Sequence, residues 1–186
     1  MIALLTRTAV FALGIALGAN AYAQTSSPKP AASAAKETLN QEDQRFVKEA
    51  GAGGLAEVEL SKMAQKSENP DVKSFADRMV QDHTTANQEL MTIATGLGIE
   101  VPKALDAEHQ RMAQRLAGLH GKALDEQYMR DMVEDHNKTV TLFQTEERSG
   151  QSTELKQFAQ KTLPIIQTHQ KMAQELSRKV AQASAR

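Results

Sequence analysis

Three histidines stand where a helix would turn them inward. His83 falls at the centre of an apolar stripe formed by Phe75, Ala76, Met79, Ala86, Leu90 and Ala94. His136 lies within the stripe Met129, Met132, Val133, Val140 and Phe143. His169 lies among Phe158, Thr162, Ile166, Ala173, Leu176 and Val180. A further stripe (Val47, Ala50, Gly54, Val58, Ser61) carries Glu57 on its edge, while Glu59 points the other way. Neutral imidazoles with one carboxylate can hold Zn²⁺, Fe²⁺ or Cu²⁺. The candidate metal ligands are therefore His83, His136, His169 and Glu57. Methionines accompany the histidines at helical spacing: Met79, Met132 and Met172. Soft thioethers beside imidazoles suit Cu(I). Asp82 and Asp135 are placed to accept from imidazole N–H groups behind such a site. The cofactor class these residues point to is a divalent transition metal or copper.

The same residues can also form a polar network without metal. Each buried imidazole needs partners, because leaving one unpaired costs about 1–3 kcal/mol. Methionines on an apolar stripe commonly fill core space. Asp82 follows Arg78 by four residues and fits a solvated flank. His109, behind Leu105 and before Met112 and Leu116, reads as a packing or surface residue, and His120 sits at a loop.

Helices must carry all of these side chains. Asn40 is a good N-cap, followed by Glu42 and Asp43 where the helix dipole favours anions. The first helix is expected to run to about Lys66. Asn69-Pro70 ends it and opens a second, which reaches about Thr95 before Gly96 and Gly98. Asp125 is expected to cap a third long helix ending at Ser149-Gly150, and Ser152 a fourth reaching about Val180. Each long helix has roughly 25 residues, or about 38 Å. Two very short loops force antiparallel neighbours, while the connection from Leu97 to Leu124 is long enough to cross the whole bundle and holds a short helix near Asp106 to Leu116. The expected fold is thus all-α: a ferritin-like four-helix bundle, two antiparallel hairpins joined by a long crossover containing a short helix. Met79-Val80-Gln81-Asp82-His83 recurs as Met132-Val133-Glu134-Asp135-His136, which fits a duplicated hairpin or two helices meeting one packing demand. Pro164 is expected to bend the fourth long helix. Gly51, Gly53 and Gly54 weaken the first helix, and their use would be close approach of another element.

Counted from the hairpin turns, Glu57, His83, His136 and His169 all fall near mid-bundle. Their heights spread over about 10 Å, so a single shell needs tilt or offset between the helices.

The segment 1–23 reads as a signal peptide. Arg7 precedes an apolar run from Thr8 to Ala19, and Ala21-Tyr22-Ala23 supplies the small residues of a cleavage site. Residues 24–39, rich in Ser, Ala, Pro and Lys, read as a flexible linker, and residues 40–182 as the bundle. The expected location is periplasmic, with no transmembrane segment in the mature chain. There are 0 cysteines, which removes disulfides, thiolate metal sites and cysteine nucleophiles. The formal net charge of −1 becomes −2 without Arg7, and no basic stripe marks nucleic-acid binding.

On these residues the chain resembles an exported bacterial family of unknown function, domain-of-unknown-function family 4142, often labelled outer-membrane or membrane protein. The resemblance rests on the Glu57 segment, Val72-Lys73-x-Phe75-Ala76 leading to Asp82-His83, Leu124-Asp125-x-x-Tyr128 leading to His136, and Phe158-Ala159 with Leu163-Pro164 leading to His169. It implies a ferritin-like fold and leaves the function open. The di-iron chemistry of some ferritin-like bundles requires Glu-x-x-His pairs. Here the residues three before the histidines are Val80, Val133 and Ile166. A hydrolase would need a nucleophile beside a base, and Ser61 and Thr162 sit in no sharp turn. The expected function is a non-catalytic stress or envelope accessory protein acting through an envelope partner, with metal binding by the histidines as the alternative.

Overall fold

The computed structural model describes residues 39–184. The signal peptide and nearly all of the linker expected from the sequence lie outside that range. Among the described residues every regular element is helical: α1 (Gln41–Ala64), α2 (Pro70–Leu97), α3 (Ala107–Ala117), α4 (Gly121–Ser149) and α5 (Thr153–Ser184).

The chain's own punctuation sets most of these limits. Asn40 and Asp43 form a reciprocal capping box at the start of α1. Asn69 caps α2 and Pro70 opens it; Gly98, in the left-handed conformation at φ 72°, ends it. Ser152 accepts from the Leu155 N–H at the start of α5, which continues through Pro164. Two boundaries differ from expectation by about a turn, and α5 accounts for one by running past Val180 to Ser184. α4 begins a turn early, at Gly121, with His120 as N-cap and no side-chain cap bond. Asp125 is not a cap, because its carboxylate is engaged elsewhere: it accepts from Ser67 Oγ at 2.6 Å. That bond ties α4 to the α1–α2 turn.

α1 packs along α2, and α4 along α5; α1 also lies against α4, and α2 against α5. Asn40 at the start of α1 donates to the Ser149 carbonyl at the end of α4 (3.0 Å). The start of α4 meets the α1–α2 turn through Asp125. α1 and α4 are therefore antiparallel, and the connection from α2 to α4 must travel the length of the bundle. α3 lies on that path and packs on α1 and α4. Gly51 and Gly54 serve close approach here: a Cβ on Gly51 would meet Val101 of the crossover at 2.6 Å, and one on Gly54 would overlap the Asn87 amide.

The apolar core falls into two clusters. One includes Leu60, Phe75, Met79, Tyr128, Met132 and Leu176. The other includes Phe46, Leu90, Phe143, Leu155, Phe158 and Ile166. On every long helix the candidate ligand lies between them in sequence, so a polar layer separates two apolar halves.

A carboxyl pair joins the bundle's other end. Asp43 accepts from the backbone N–H groups of Gln151 (2.9 Å) and Ser152 (3.1 Å) at the α4–α5 turn. Glu146 is fully buried nearby. Burial first, and then the charge of Asp43, push its carboxyl up to about 8 from 4.5. A raised folded-state value means that the protonated form is favoured by folding. The contribution is complete below about pH 4.5 and is lost as pH rises through about 8. Across that window stability is expected to fall by up to about 1.4 kcal/mol per pH unit from this group. Urea unfolding from pH 5 to 9 should show the fall, and Glu146→Gln should make it shallower, leaving the part owed to Asp135, whose carboxyl burial raises to about 7. An equal slope in the variant would remove Glu146 as its source.

Candidate metal centre

Each long helix delivers one polar side chain to the middle layer. Glu57 comes from α1, His83 from α2, His136 from α4 and His169 from α5, with exposures of 1, 6, 0 and 1%. One ring nitrogen from each histidine lies within 4.8 Å of the other two. The ring centroids are 5.2 to 5.7 Å apart.

The outer nitrogen of every ring faces an oxygen. His83 Nδ1 is 2.9 Å from Glu57 Oε2. His169 Nε2 is 2.9 Å from Asp82 Oδ2. His136 Nδ1 is 2.9 Å from the carbonyl of Met132, one turn back on its own helix. Such oxygens only accept, so each outer nitrogen carries a proton. A neutral ring then has its lone pair on the other nitrogen. Those nitrogens are His83 Nε2, His136 Nε2 and His169 Nδ1. Two of them, on His83 and His169, stand 3.3 Å apart. His136 Nε2 is buried and has no hydrogen-bond partner.

Electrostatics favours the ligand form of two rings. Burial, then the positive field of His83, hold His169 down to about 4. His136 is lowered by burial, with the Glu57 charge opposing. His83 differs: burial pulls it down, but the Glu57 charge and hydrogen bond prevail and raise it. Burial alone would raise Glu57, yet the adjacent histidines and the His83 hydrogen bond hold it at about 2. Glu57 is therefore an ionised carboxylate in the core.

The structure distributes the sequence candidates unequally. The three histidines converge. Glu57 stands behind them, on Nδ1 of His83 and 3.4 Å from Nδ1 of His136. Asp82 holds His169 and is itself held by Arg78 Nε at 3.2 Å. Asp135 is buried but faces His109 rather than His136. Met79 and Met132 are fully buried in the apolar cluster, and the Met172 sulfur accepts from Arg78 at 3.7 Å. The orienting role of the Met132 carbonyl escapes a reading by side-chain type; its four-residue offset from His136 is the signal that points to it. A cleft of about 150 Å³ between α2 and α5, bordered by Ala86, Thr162 and Ile165, reaches His83 and His169 from outside.

Fold and site together define an all-α bundle with a buried histidine triad. Over residues 28–176 the chain matches the family described as "Domain of unknown function (DUF4142)", and it belongs to that family. No curated protein matches it. Among solved structures it is similar to the crystal structure of a DUF305 fragment from Deinococcus radiodurans. The TM-score is 0.63 at 15% identity, covering 75% of this chain and 98% of that one. At that identity the likeness concerns the fold alone.

Proposed function

We propose that this protein is an exported metal-binding bundle that holds one divalent first-row ion, Zn²⁺ or Cu²⁺, on His83 Nε2, His136 Nε2 and His169 Nδ1. The observation that carries the reading is the buried, unpartnered Nε2 of His136 beside two rings whose outer nitrogens also face acceptor oxygens. Carboxylate or carbonyl groups behind metal-bound imidazoles are the usual means of fixing tautomer and orientation. Glu57 and Asp82, one hydrogen bond behind the rings, supply two negative charges against the two positive charges of the ion. Three imidazoles leave one position of a tetrahedral shell free, and the cleft between α2 and α5 is a route to it.

A metal-free network is the second reading, and one observation favours it. A doubly protonated His83 would bridge the Glu57 carboxylate and His169 Nδ1 across the 3.3 Å contact. That arrangement leaves His136 Nε2 without a partner, at about 1–3 kcal/mol. Hydrolysis through Ser61 is disfavoured, because its hydroxyl is bonded to Tyr128 Oη at 2.8 Å rather than to a base.

Export rests on Arg7, the Thr8–Ala19 run and Ala21-Tyr22-Ala23. Among the described residues no helix is long and apolar enough to cross a membrane. An envelope protein partner would fit that location. Native mass spectrometry of the protein isolated from the cell envelope without a histidine tag tests location and metal together. The expected species begins at Gln24 and carries one tightly bound Zn or Cu ion that a chelator removes. A metal-free species that takes up neither ion on titration would end the metal reading.

A further inference from the structure

A second wiring of the same kind lies outside the triad, in the cleft between α1, α3 and α4. Asp106 caps α3 by accepting from the His109 N–H on Oδ1 (2.9 Å), which fixes its carboxylate. Its other oxygen, Oδ2, faces His109 Nδ1 at 2.9 Å. A neutral ring then carries its proton on Nδ1 and its lone pair on Nε2. That lone pair faces Asp135 Oδ2, 3.9 Å away. The His109 and Asp135 side chains are only 12% and 7% exposed. Asp135 Oδ2 is buried without a hydrogen-bond partner. With the ring neutral and the carboxyl ionised, two acceptors face each other across a gap too long for a hydrogen bond. The gap matches the roughly 3–4 Å between two ligand atoms on one ion with bonds of about 2.0–2.2 Å. Both groups line a cleft of about 320 Å³ that Glu49 and Thr139 also border. Two lysines border the cleft: Lys138 is shared between Glu108 and Glu134, at 2.9 Å from each, and Lys48 lies on the exposed α1 side. At Gly53, on the α1 wall, an added Cβ would meet nothing within 4 Å, so that wall stays open.

The geometry points to a second, more accessible site for a divalent cation, with His109 Nε2 and Asp135 Oδ2 as its protein ligands and Asp106 as the group that orients the imidazole. Glu49 and solvent complete the shell. The site shares no ligand with the triad, so either can exist without the other. Its partial exposure and smaller ligand set make it the weaker of the two.

The test is equilibrium dialysis of the tag-free protein against Zn²⁺, with bound metal counted by mass spectrometry and a melting curve as the folding check. Wild type is expected to bind two equivalents, one tight and one weak. His109→Ala and His109→Gln should keep the tight equivalent and weaken the other roughly tenfold or more, and Asp135→Asn should do the same. A second equivalent unaffected by all three substitutions would overturn the site, as would a wild-type protein whose Zn²⁺ binding never depends on His109. A single weak equivalent that disappears in His109→Ala would uphold this site while removing the triad.

Discussion

Glu57→Ala is expected to lower the stability of the metal-free protein by about 3–5 kcal/mol, read from urea unfolding. The carboxylate is 1% exposed and sits in the polar layer between two apolar clusters. It accepts from His83 Nδ1 at 2.9 Å and lies 3.4 Å from His136 Nδ1. Taking one member from a buried charge-paired group leaves the other without compensation, which costs more than the pair itself contributes. Glu57→Gln retains an acceptor and nearly the same volume, so its loss should be smaller. Glu59, two residues on and exposed, is the internal control: its alanine variant should change stability by no more than about 0.5 kcal/mol. Equal effects at the two positions would show that Glu57 does not act as the counter-charge of the layer.

Saturating Zn²⁺ or Cu²⁺ should stabilise the protein strongly, and His136→Ala should abolish that effect. An ion that binds only the folded chain adds about 4 kcal/mol when present at a thousand times its dissociation constant. For a domain of this size that corresponds to a rise in Tm of roughly 10 °C. His136 is the ring to remove because its Nε2 has no other partner; the His83 and His169 nitrogens can satisfy each other. His120→Ala, at the exposed start of α4, should leave the full shift. A rise of the same size in His136→Ala would place the bound metal outside the triad, and the second site at His109 would then be its first candidate.

Helix number, helix order and the inward faces were legible from local features. Asn40, Asn69-Pro70, Gly98 and Ser152 satisfy or exclude backbone groups within a few residues of themselves, so their effect needs no partner. Periodicity of 3.6 residues likewise put His83, His136, His169 and Glu57 on buried stripes. Asp125 shows where this reasoning stops. It has the chemistry of an N-cap, but Ser67 from the α1–α2 turn claims its carboxylate, and α4 begins a turn earlier.

The convergence of the site was decided only in three dimensions. Counting along each helix spreads the four polar residues over about 10 Å, on the assumption of parallel axes and level turns. The register of the two hairpins is instead set by contacts between them, such as Asn40 with Ser149 and Ser67 with Asp125. Ring orientation adds the rest, since His83 turns Nε2 inward and His169 Nδ1. The two Asp-His pairs are identical in sequence and diverge in space. Asp82 reaches across to His169 on α5, whereas Asp135 faces His109 on the crossover side of α4. A sequence specifies which face a residue occupies because that follows from rotation along one helix. Which neighbour it meets depends on the packing of several helices at once, and only the tertiary structure contains that information.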